Sequence, residues 1–393
     1  MPTRGTARQS HVSTRETVFA SRVTFGRDSV PDVGDLVAGK YRIERRIGGG
    51  SMGVVYAARH ELLGKAVALK LISEEAASTS QAVHRFYNEA RAAAQIESDH
   101  VARVLDVGHA DDGSPFMALE LLDGCDLAEL LEQDGPQPVV EVVGWVLQAL
   151  EAIADAHSIG IVHRDLKPAN LFLAHKRDGT STIKVLDFGI SKNVARDEAA
   201  TTLTVTSSIL GSPTYMAPEQ LRDAKSVDGR ADIWSIGVVL YELLAGRLPF
   251  AAQNVADLFV AILERSPTSL RATRPDIPPA LEGVVMRCLS RDTDARFGDA
   301  AALAEALAPF GPPGADSAVE RIRRLLRDRR EATRETPRHR KPRASRRMLL
   351  VAIACLVAIS ATGLIASQDA PTWCGWWQHQ APRSGASPAS LAH

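Results

Sequence analysis

Apolar and polar residues alternate with a period of two from Gly34 onward, a pattern that is typical of half-buried β-strands. Tyr41, Ile43 and Ile47 follow this alternation. Further apolar runs of strand length lie at 54–56, 67–70, 101–107 and 115–122. Between these runs, residues 80–95 place apolar residues at helical spacing. This part of the chain is therefore predicted to be rich in strands, with one helix.

The following part of the chain has a helical pattern instead. Residues 139–160 and 232–244 are two mostly apolar segments of helix length. A short strand-like run ends at Leu186, and the segment 190–216 beyond it has no periodicity and is rich in Ser and Thr. A strand-rich region is therefore followed by a helical one.

Both ends of the chain differ from this middle part. Residues 1–33 are rich in Ser, Thr and Arg and are predicted to form a flexible tail, with a partly ordered flap as the alternative. The run Gly-Pro-Pro-Gly at 311–314 marks the end of a domain. Residues 317–335 have a basic helical pattern, for which a solvated, partly helical linker is favoured over a stripe that pairs two chains. The stripe consists of Val319, Ile322, Leu325 and Leu326.

An apolar segment near the C-terminus, residues 348–366, carries no charge over nineteen positions. As a helix it would be about 28 Å long, which is enough to cross a bilayer. A membrane span is predicted in preference to a buried core helix, because no further domain remains here in which a core helix could lie.

The residues around this segment predict its orientation. Basic residues immediately precede it at Arg338, Arg340, Lys341, Arg343, Arg346 and Arg347. By the positive-inside rule, the part of the chain before the span is expected in the cytoplasm, attached to the cytoplasmic (inner) membrane. The tail 367–393 is then extracytoplasmic, and its tryptophans at Trp373, Trp376 and Trp377 are expected to anchor it at the interface.

Composition narrows the class of protein. The apolar fraction of 45% and the charged fraction of 24% are ordinary for a soluble globular domain. A net charge of −1 argues against a nucleic acid as the partner. Basic residues are nevertheless concentrated at 319–347, where thirteen Arg or Lys occur with four Asp or Glu. The four cysteines lack metal-ligand spacing, which fits a reducing compartment, and no N-terminal signal peptide is predicted.

The residues 163–170, His-Arg-Asp-Leu-Lys-Pro-Ala-Asn, bring together side chains that suit chemistry on a phosphate. Asp165 can accept a proton from an attacking hydroxyl, and Lys167 can neutralise charge on the transferred group. Asn170 can offer its amide oxygen to Mg²⁺. Asp187, in the sequence Asp-Phe-Gly, adds a second hard oxygen ligand seventeen residues later. The two segments together predict a site for a metal-bridged nucleotide.

A glycine-rich segment precedes these motifs. Residues 48–55 match the pattern G-x-G-x-x-G-x-V between two strand-like runs. In a Rossmann loop the glycines lead into a helix, whereas here the run Val-Ala-Leu-Lys, ending at Lys70, comes next. A glycine-rich hairpin lets backbone N–H groups close over phosphates. A buried Lys70 needs a counter-charge, for which Glu89 is the candidate, with an exposed helix acid as the alternative interpretation of Glu89.

Taken in order, these motifs resemble those of the protein kinases. The resemblance covers about residues 40–310 and extends to the run Gly-Ser-Pro-Thr-Tyr-Met-Ala-Pro-Glu, ending at Glu219, and to Arg296 as the buried partner of Glu219. It implies an α+β chain with the two-lobed protein kinase fold, in which a small β-rich N-terminal lobe precedes a larger helical one. The expected domains are a tail (1–33), a kinase domain (34–310), a basic juxtamembrane linker (311–347), a transmembrane helix (348–366) and a short extracytoplasmic tail (367–393).

The resemblance also implies roles for individual residues. The catalytic residues would be Lys70, Glu89, Asp165 and Lys167, and the ligands of Mg²⁺, or of Mn²⁺ in its place, would be Asn170 and Asp187. ATP would contact Ile47, Gly48, Gly49, Gly50, Ser51, Met52, Gly53, Val55, Ala68, Lys70, Glu120, Leu122, Asp126 and Phe172. In this set, backbone groups of Glu120 and Leu122 would bind the adenine edge, and Asp126 would meet the ribose. The adenine faces would be enclosed by Val55, Ala68 and Phe172, the last being bulkier than the aliphatic residue expected there.

The chain most resembles a membrane-anchored bacterial Ser/Thr protein kinase of the eukaryotic-like (Hanks) type. Lys167 and Thr214 favour Ser/Thr over Tyr acceptors. Arg164 directly precedes Asp165 and could bind a phosphate on Thr204 or Thr206, which predicts activation by autophosphorylation in trans. The expected partners are ATP, protein substrates and the membrane, and a homodimer is left open. A pseudokinase scaffold and a small-molecule phosphotransferase are the alternatives, against which the complete set of motifs argues.

Overall fold

A computed structural model gives the fold of residues 19–20, 31–50, 53–188, 213–223 and 227–335. The chain divides into two units, Met1–Thr333 and Arg334–His393, and nearly all the described residues belong to the first. Among the helices in these ranges, none combines the length and the apolar character that crossing a bilayer requires. The predicted span at 348–366 and the tail at 367–393 lie outside the described residues and stay predictions.

The N-terminal lobe is built on a seven-stranded sheet. Its strands, β1 to β7 in chain order, are Phe19–Ala20, Leu36–Val37, Tyr41–Gly50, Gly53–His60, Ala66–Ile72, Val104–His109 and Pro115–Glu120. Their spatial order is β1-β3-β4-β5-β7-β6, and β2 also pairs with β3. Strand β1 runs parallel to β3, with Phe19 opposite Gly48. Helices α1 (Glu74–Ala77) and α2 (Ser80–Gln95) connect β5 to β6.

The alternating pattern of β3 places one face of this sheet in the core of the lobe. Tyr41 and Ile43 are buried there together with Leu69 and Phe116. The rings of Tyr41 and Phe116 meet edge to face, with centroids 5.6 Å apart. The strand pattern predicted for this region is therefore confirmed by the side chains that it buries.

Helix α2 packs on the sheet through the apolar face that its spacing predicts. Phe86 and Ala90 are buried against Ile72 and Met117. Glu89 is adjacent to Ala90 and three positions from Phe86, so it lies beside the buried face. This placement brings its carboxylate to strand β5, which carries Lys70.

The C-terminal lobe is mostly helical and contains one small sheet. Its helices, α3 to α10 in chain order, are Leu127–Asp134, Val139–Ser158, Pro218–Arg222, Arg230–Ala245, Val255–Glu264, Pro279–Cys288, Ala300–Leu307 and Ala315–Glu335. Strands β8 (Gly124–Asp126), β9 (Leu171–His175) and β10 (Ser181–Val185) form an antiparallel sheet in the order β10-β9-β8. Helix α6 packs against α4 and α8, and its Trp234 and Tyr241 are fully buried.

Most predicted elements are confirmed, with shifts at their ends. The apolar segments at 139–160 and 232–244 correspond to α4 and α6. The strand expected from residue 101 begins at Val104, because Val101 makes a separate bridge with Val185 of the C-terminal lobe. The strand expected to reach residue 122 ends at Glu120, where the chain leaves the first sheet.

The C-terminal helix α10 differs from the solvated linker that the sequence predicted after residue 310. Its Val319 and Ile322 are buried in the core of the C-terminal lobe, and Leu325 and Leu326 pack against that core. Arg321 Nε lies 3.0 Å from both carboxylate oxygens of Glu151 on α4. The apolar stripe considered for pairing two chains is therefore covered by the chain's own lobe. The pattern predicted the stripe but could not show which surface would cover it.

Candidate active site

The catalytic loop between α4 and β9 holds three polar side chains together. Asn170 Nδ2 donates to the backbone oxygen of Asp165 at 2.8 Å and to its Oδ2 at 3.2 Å. The ammonium of Lys167 lies 3.4 Å from the same Oδ2. The Asn170 amide therefore positions the Asp165 carboxylate through its Nδ2, and its Oδ1 is the atom that can serve as a metal ligand.

A buried carboxylate in α6 fixes the backbone of this loop. Asp232 is fully buried, and its two oxygens accept the backbone N–H groups of His163 and Arg164, each at 2.8 Å. His157 Nε2 lies 2.7 Å from the same carboxylate. Burial opposes ionisation of Asp232, but these donors outweigh it and hold its pKa below the ordinary value. Asp232 is therefore a charged anchor for the loop backbone.

Sequence reasoning placed Asp232 only at the start of an apolar helix and gave it no role. A signal was present, because an acid in the first turn of an otherwise buried helix needs several donors. Which backbone groups provide them depends on the fold of a loop that lies some seventy residues earlier.

His163 joins the catalytic loop to the segment that carries Asp187. Its ring is fully buried, and burial lowers its pKa. Nε2 lies 3.0 Å from the backbone oxygen of Leu186, and Nδ1 accepts the Asp165 N–H at 3.3 Å. These contacts fit a neutral ring that carries its proton on Nε2. The ring also packs on Phe188, with centroids 4.6 Å apart, so Asp187 lies between two fixed neighbours.

Lys70 forms the second cluster, with the predicted partner Glu89 and also with Asp187. Its Nζ lies 2.7 Å from Glu89 Oε1 and 2.7 Å from Asp187 Oδ1. Burial lowers the pKa of Lys70, but the two carboxylates outweigh that effect and raise it, so the ammonium stays charged. Burial raises the pKa of Glu89, and Lys70 opposes this. Burial acts in the same direction on Asp187, where the Lys70 charge prevails and lowers the pKa.

Two residues of the site have backbone conformations that side chains rarely adopt. The φ angles of Arg164 and Asp187 are 67° and 47°, in the left-handed region. Such conformations cost about 1–3 kcal/mol each and persist only where the surroundings fix them. Here the surroundings are the Asp232 anchor for Arg164 and the ion pair with Lys70 for Asp187.

The glycine-rich segment forms the hairpin between β3 and β4. Gly48 and Gly49 pair with Val55 and Val54, and Gly50 pairs with Gly53. A Cβ on Gly53 would lie 1.9 Å from the backbone oxygen of Leu71, so only glycine allows this approach of β5. The tip, Ser51 and Met52, lies outside the described residues, and their predicted contact with phosphates stays a prediction.

The residues predicted to hold the adenine come from both lobes. Ile47 is buried, and Val55 and Ala68 are half-buried on neighbouring strands, where Val55 pairs with Lys70. Glu120 and Leu122 lie at the end of β7 and just beyond it, and both are half-buried. In the second sheet, Phe172 is buried on β9 and pairs with Asp126 of β8.

Asp126 has a structural role that sequence reasoning missed. Its Oδ1 accepts the backbone N–H groups of Ala128 and Glu129, each at 2.9 Å, and so caps the N-terminus of α3. Burial raises the pKa of this carboxyl. An acid directly before a helical pattern is a known N-cap signal, and the ribose contact proposed for Asp126 uses the same side chain.

The end of the activation segment is fixed by a buried ion pair that the sequence predicted. Arg296 Nη1 and Nη2 bond to the two carboxylate oxygens of Glu219 at 2.7 and 2.8 Å. Arg164 Nη2 lies 3.4 Å from the backbone oxygen of Val227. Thr204 and Thr206 lie outside the described residues, so their contact with Arg164 stays a prediction.

The donor set of the site suits Mg²⁺ bound with a nucleotide. Asn170 Oδ1 and the half-exposed carboxylate of Asp187 are hard oxygen donors. Within the described residues no group of three or more His, Cys, Asp or Glu forms a metal cage. Mg²⁺ commonly binds through one or two protein oxygens, with water and phosphates completing its shell, so the two residues fit that mode.

Comparison with known proteins agrees with this site. The protein kinase domain family matches residues 41–307, which is more than half of the chain. The chain therefore belongs to the protein kinase family. Its relatives include the serine/threonine-protein kinase pkn3 of Myxococcus xanthus, which is 39% identical over 262 residues that cover 66% of this chain and 48% of pkn3.

Two further comparisons extend this result. The serine/threonine-protein kinase PrkC of Bacillus subtilis is 33% identical over 265 residues, which cover 67% of this chain and 39% of PrkC. The Mycobacterium tuberculosis PknI kinase domain, known from a crystal structure, is 30% identical in sequence to this chain. The two structures match with a TM-score of 0.56 over 72% of this chain and 100% of that domain. The chain spans about half the length of pkn3 and less of PrkC, so the shared part is the kinase domain.

Proposed function

We propose that this protein is a Ser/Thr protein kinase, which transfers the γ-phosphoryl group of ATP to Ser or Thr hydroxyls of proteins. The main observation behind the proposal is that the cluster around Lys70 is connected to the catalytic loop at 163–170. Lys70 binds Glu89 and Asp187, and the His163 ring joins the segment of Asp187 to the loop that carries Asp165 and Lys167. The family and the names of the relatives support the same activity.

In the proposed reaction, the hydroxyl oxygen of the substrate bonds to the γ-phosphorus as the bond to the β–γ bridging oxygen breaks and ADP leaves. Asp165 orients the hydroxyl and accepts its proton, and Asn170 holds the Asp165 carboxylate in place. Lys167 faces the charge of the transferred group. Lys70, fixed by Glu89, orients the phosphates. Mg²⁺, held by Asn170 and Asp187, supplies charge neutralisation when bound.

Replacing Asp165 with Asn tests this proposal. The parent protein should incorporate labelled phosphate from ATP into Ser and Thr of protein acceptors, and the Asp165→Asn variant should lose this activity by on the order of a hundredfold or more. Nucleotide binding should survive, because Asp165 faces the acceptor. A pseudokinase would be inactive in both forms. A small-molecule phosphotransferase would label small acceptors and leave proteins unlabelled.

The regulation that we propose is autophosphorylation in trans on Thr204 or Thr206, with Arg164 binding the phosphate. A phosphate adds nearly two negative charges and strong acceptor oxygens, which an arginine binds in bidentate fashion. The proposed anchor at 348–366 would confine chains to one membrane and raise their local concentration.

Mapping of phosphorylated residues checks this regulation. Mass spectrometry of the active protein should find phosphate on Thr204 or Thr206, and none in the Asp165→Asn form. An inactive chain mixed with the active one should become labelled, because the reaction is intermolecular. Replacing both threonines with Ala should lower activity. An active protein without phosphate between Asp187 and Glu219 would rule the switch out.

A further inference from the structure

A buried ion pair joins the end of β7 to the strand that leads to Asp187. Lys184 on β10 places its Nζ 2.7 Å from Glu120 Oε1 and 3.4 Å from the backbone oxygen of Val101. The side chain of Lys184 is 13% exposed and that of Glu120 is 28% exposed. Burying a lysine this far costs free energy unless an opposite charge lies beside it, so the contact between Lys184 and Glu120 is favoured.

Glu120 is held from a second direction by Arg103. Glu120 Oε1 also accepts the Arg103 N–H at 2.9 Å, and the Glu120 N–H donates to the Arg103 backbone oxygen at 3.0 Å. Both the side chain and the backbone of Glu120 are therefore fixed. This matters because the backbone of Glu120, together with that of Leu122, is where the adenine edge is expected to bind.

Lys184 is also next to the residue expected beneath the adenine. It pairs directly with Phe172 across β9 and β10, and Phe172 pairs with Asp126 across β8 and β9. Directly opposed residues of an antiparallel sheet have their side chains on the same face. Asp126, Phe172 and Lys184 therefore form one row across the sheet, and the ion pair connects this row to Glu120.

We propose that Lys184 is a positioning residue for the adenine of ATP, acting through Glu120. It holds the backbone of Glu120 at a fixed distance from the Phe172 face, and so sets the width of the adenine site. This inference rests on the proposed function, since it assumes that ATP binds between the lobes.

Separate ligands for the two ends of ATP test the proposal. Calorimetry on the full chain would give the Kd of a non-hydrolysable ATP analogue with Mg²⁺, of adenosine, and of Mg²⁺ with tripolyphosphate. Lys184→Met should weaken the ATP analogue and adenosine by about tenfold, the loss that corresponds to one misplaced hydrogen bond. The Kd of tripolyphosphate should stay within about twofold. Lys184→Arg, which keeps the charge and the donors, should restore adenosine binding.

Matched variants keep the result interpretable. Lys176→Met changes an exposed lysine in the turn of the same hairpin and should leave all three Kd values unchanged. Glu120→Gln, which removes the partner charge, should repeat the effect of Lys184→Met and serves if that variant fails to fold. An unchanged adenosine Kd, or an equal loss for tripolyphosphate, would overturn the positioning role. A parent protein that binds no ATP analogue would instead contradict the proposed function.

Discussion

Replacing Lys70 with Met should lower the rate of phosphotransfer on the order of a thousandfold. The ammonium contacts Glu89 and Asp187 at 2.7 Å each, so its removal deletes a charge that faces the phosphates. It also leaves two carboxylates without the cation that holds them. Burial then acts unopposed by Lys70 to raise the pKa of Glu89, and Asp187 loses the cation that lowers its pKa. The loss should therefore exceed that of a single phosphate contact.

Steady-state kinetics would measure this effect, and two further variants would serve for comparison. Lys65→Met changes an exposed lysine just before β5 and should keep full activity. Glu89→Gln keeps Lys70 but loosens it, so its rate should lie between those of the parent and Lys70→Met. A Lys70→Met protein that keeps more than about a tenth of the parent rate would show that Lys70 does not act on the transferred group.

Ending the chain before α10 should destabilise the kinase domain by about 3–5 kcal/mol, a large part of the total stability of a domain. A chain that stops at Gly311 exposes the surface that Val319 and Ile322 cover, and it leaves the buried Glu151 carboxylate without Arg321. Urea denaturation would measure the loss of the free energy of unfolding.

A chain that stops at residue 336 keeps α10. It should remain stable, active and soluble without detergent, whereas the full chain should be found in the membrane fraction.

Point variants separate the effect of the helix from that of truncation. Arg321→Met breaks the pair with Glu151 and should account for much of the loss. Arg323→Met is the matched control on the same helix, because Arg323 pairs with Glu305 and Glu320 on the surface. Arg323→Met should lower the free energy of unfolding by less than about 1 kcal/mol. If the chain that stops at Gly311 is as stable as the longer one, α10 does not belong to the folded core.

The sequence predicted the ordered motifs well because each depends on neighbouring residues. The glycine hairpin, the loop at 163–170 and Asp-Phe-Gly are local patterns, and their order predicted the pairs Lys70–Glu89 and Glu219–Arg296, which the structure confirms. Helix α2 was predicted at about residues 80–95 from its apolar spacing, and the structure confirms it.

What the sequence could not predict are partners that are distant in the chain and have no shared motif. Asp232 with His163, Lys184 with Glu120 and Arg321 with Glu151 are each separated by more than sixty residues. The sequence around each of these side chains does not show which distant group is its partner. Only the packing of helices and strands shows that at least one member of each pair is largely buried, and burial is what makes the partner necessary.

The Asp232 anchor has a consequence for how the protein loses activity on heating. The N–H groups of His163 and Arg164 belong to a loop, yet they are bonded to a carboxylate in the most buried helix of the lobe. Loops usually open locally at little cost, ahead of global unfolding. Independent opening of this loop should be costly, because releasing its backbone leaves the Asp232 charge unsolvated inside the core. We therefore expect inactivation and melting of the C-terminal lobe to occur as one cooperative event.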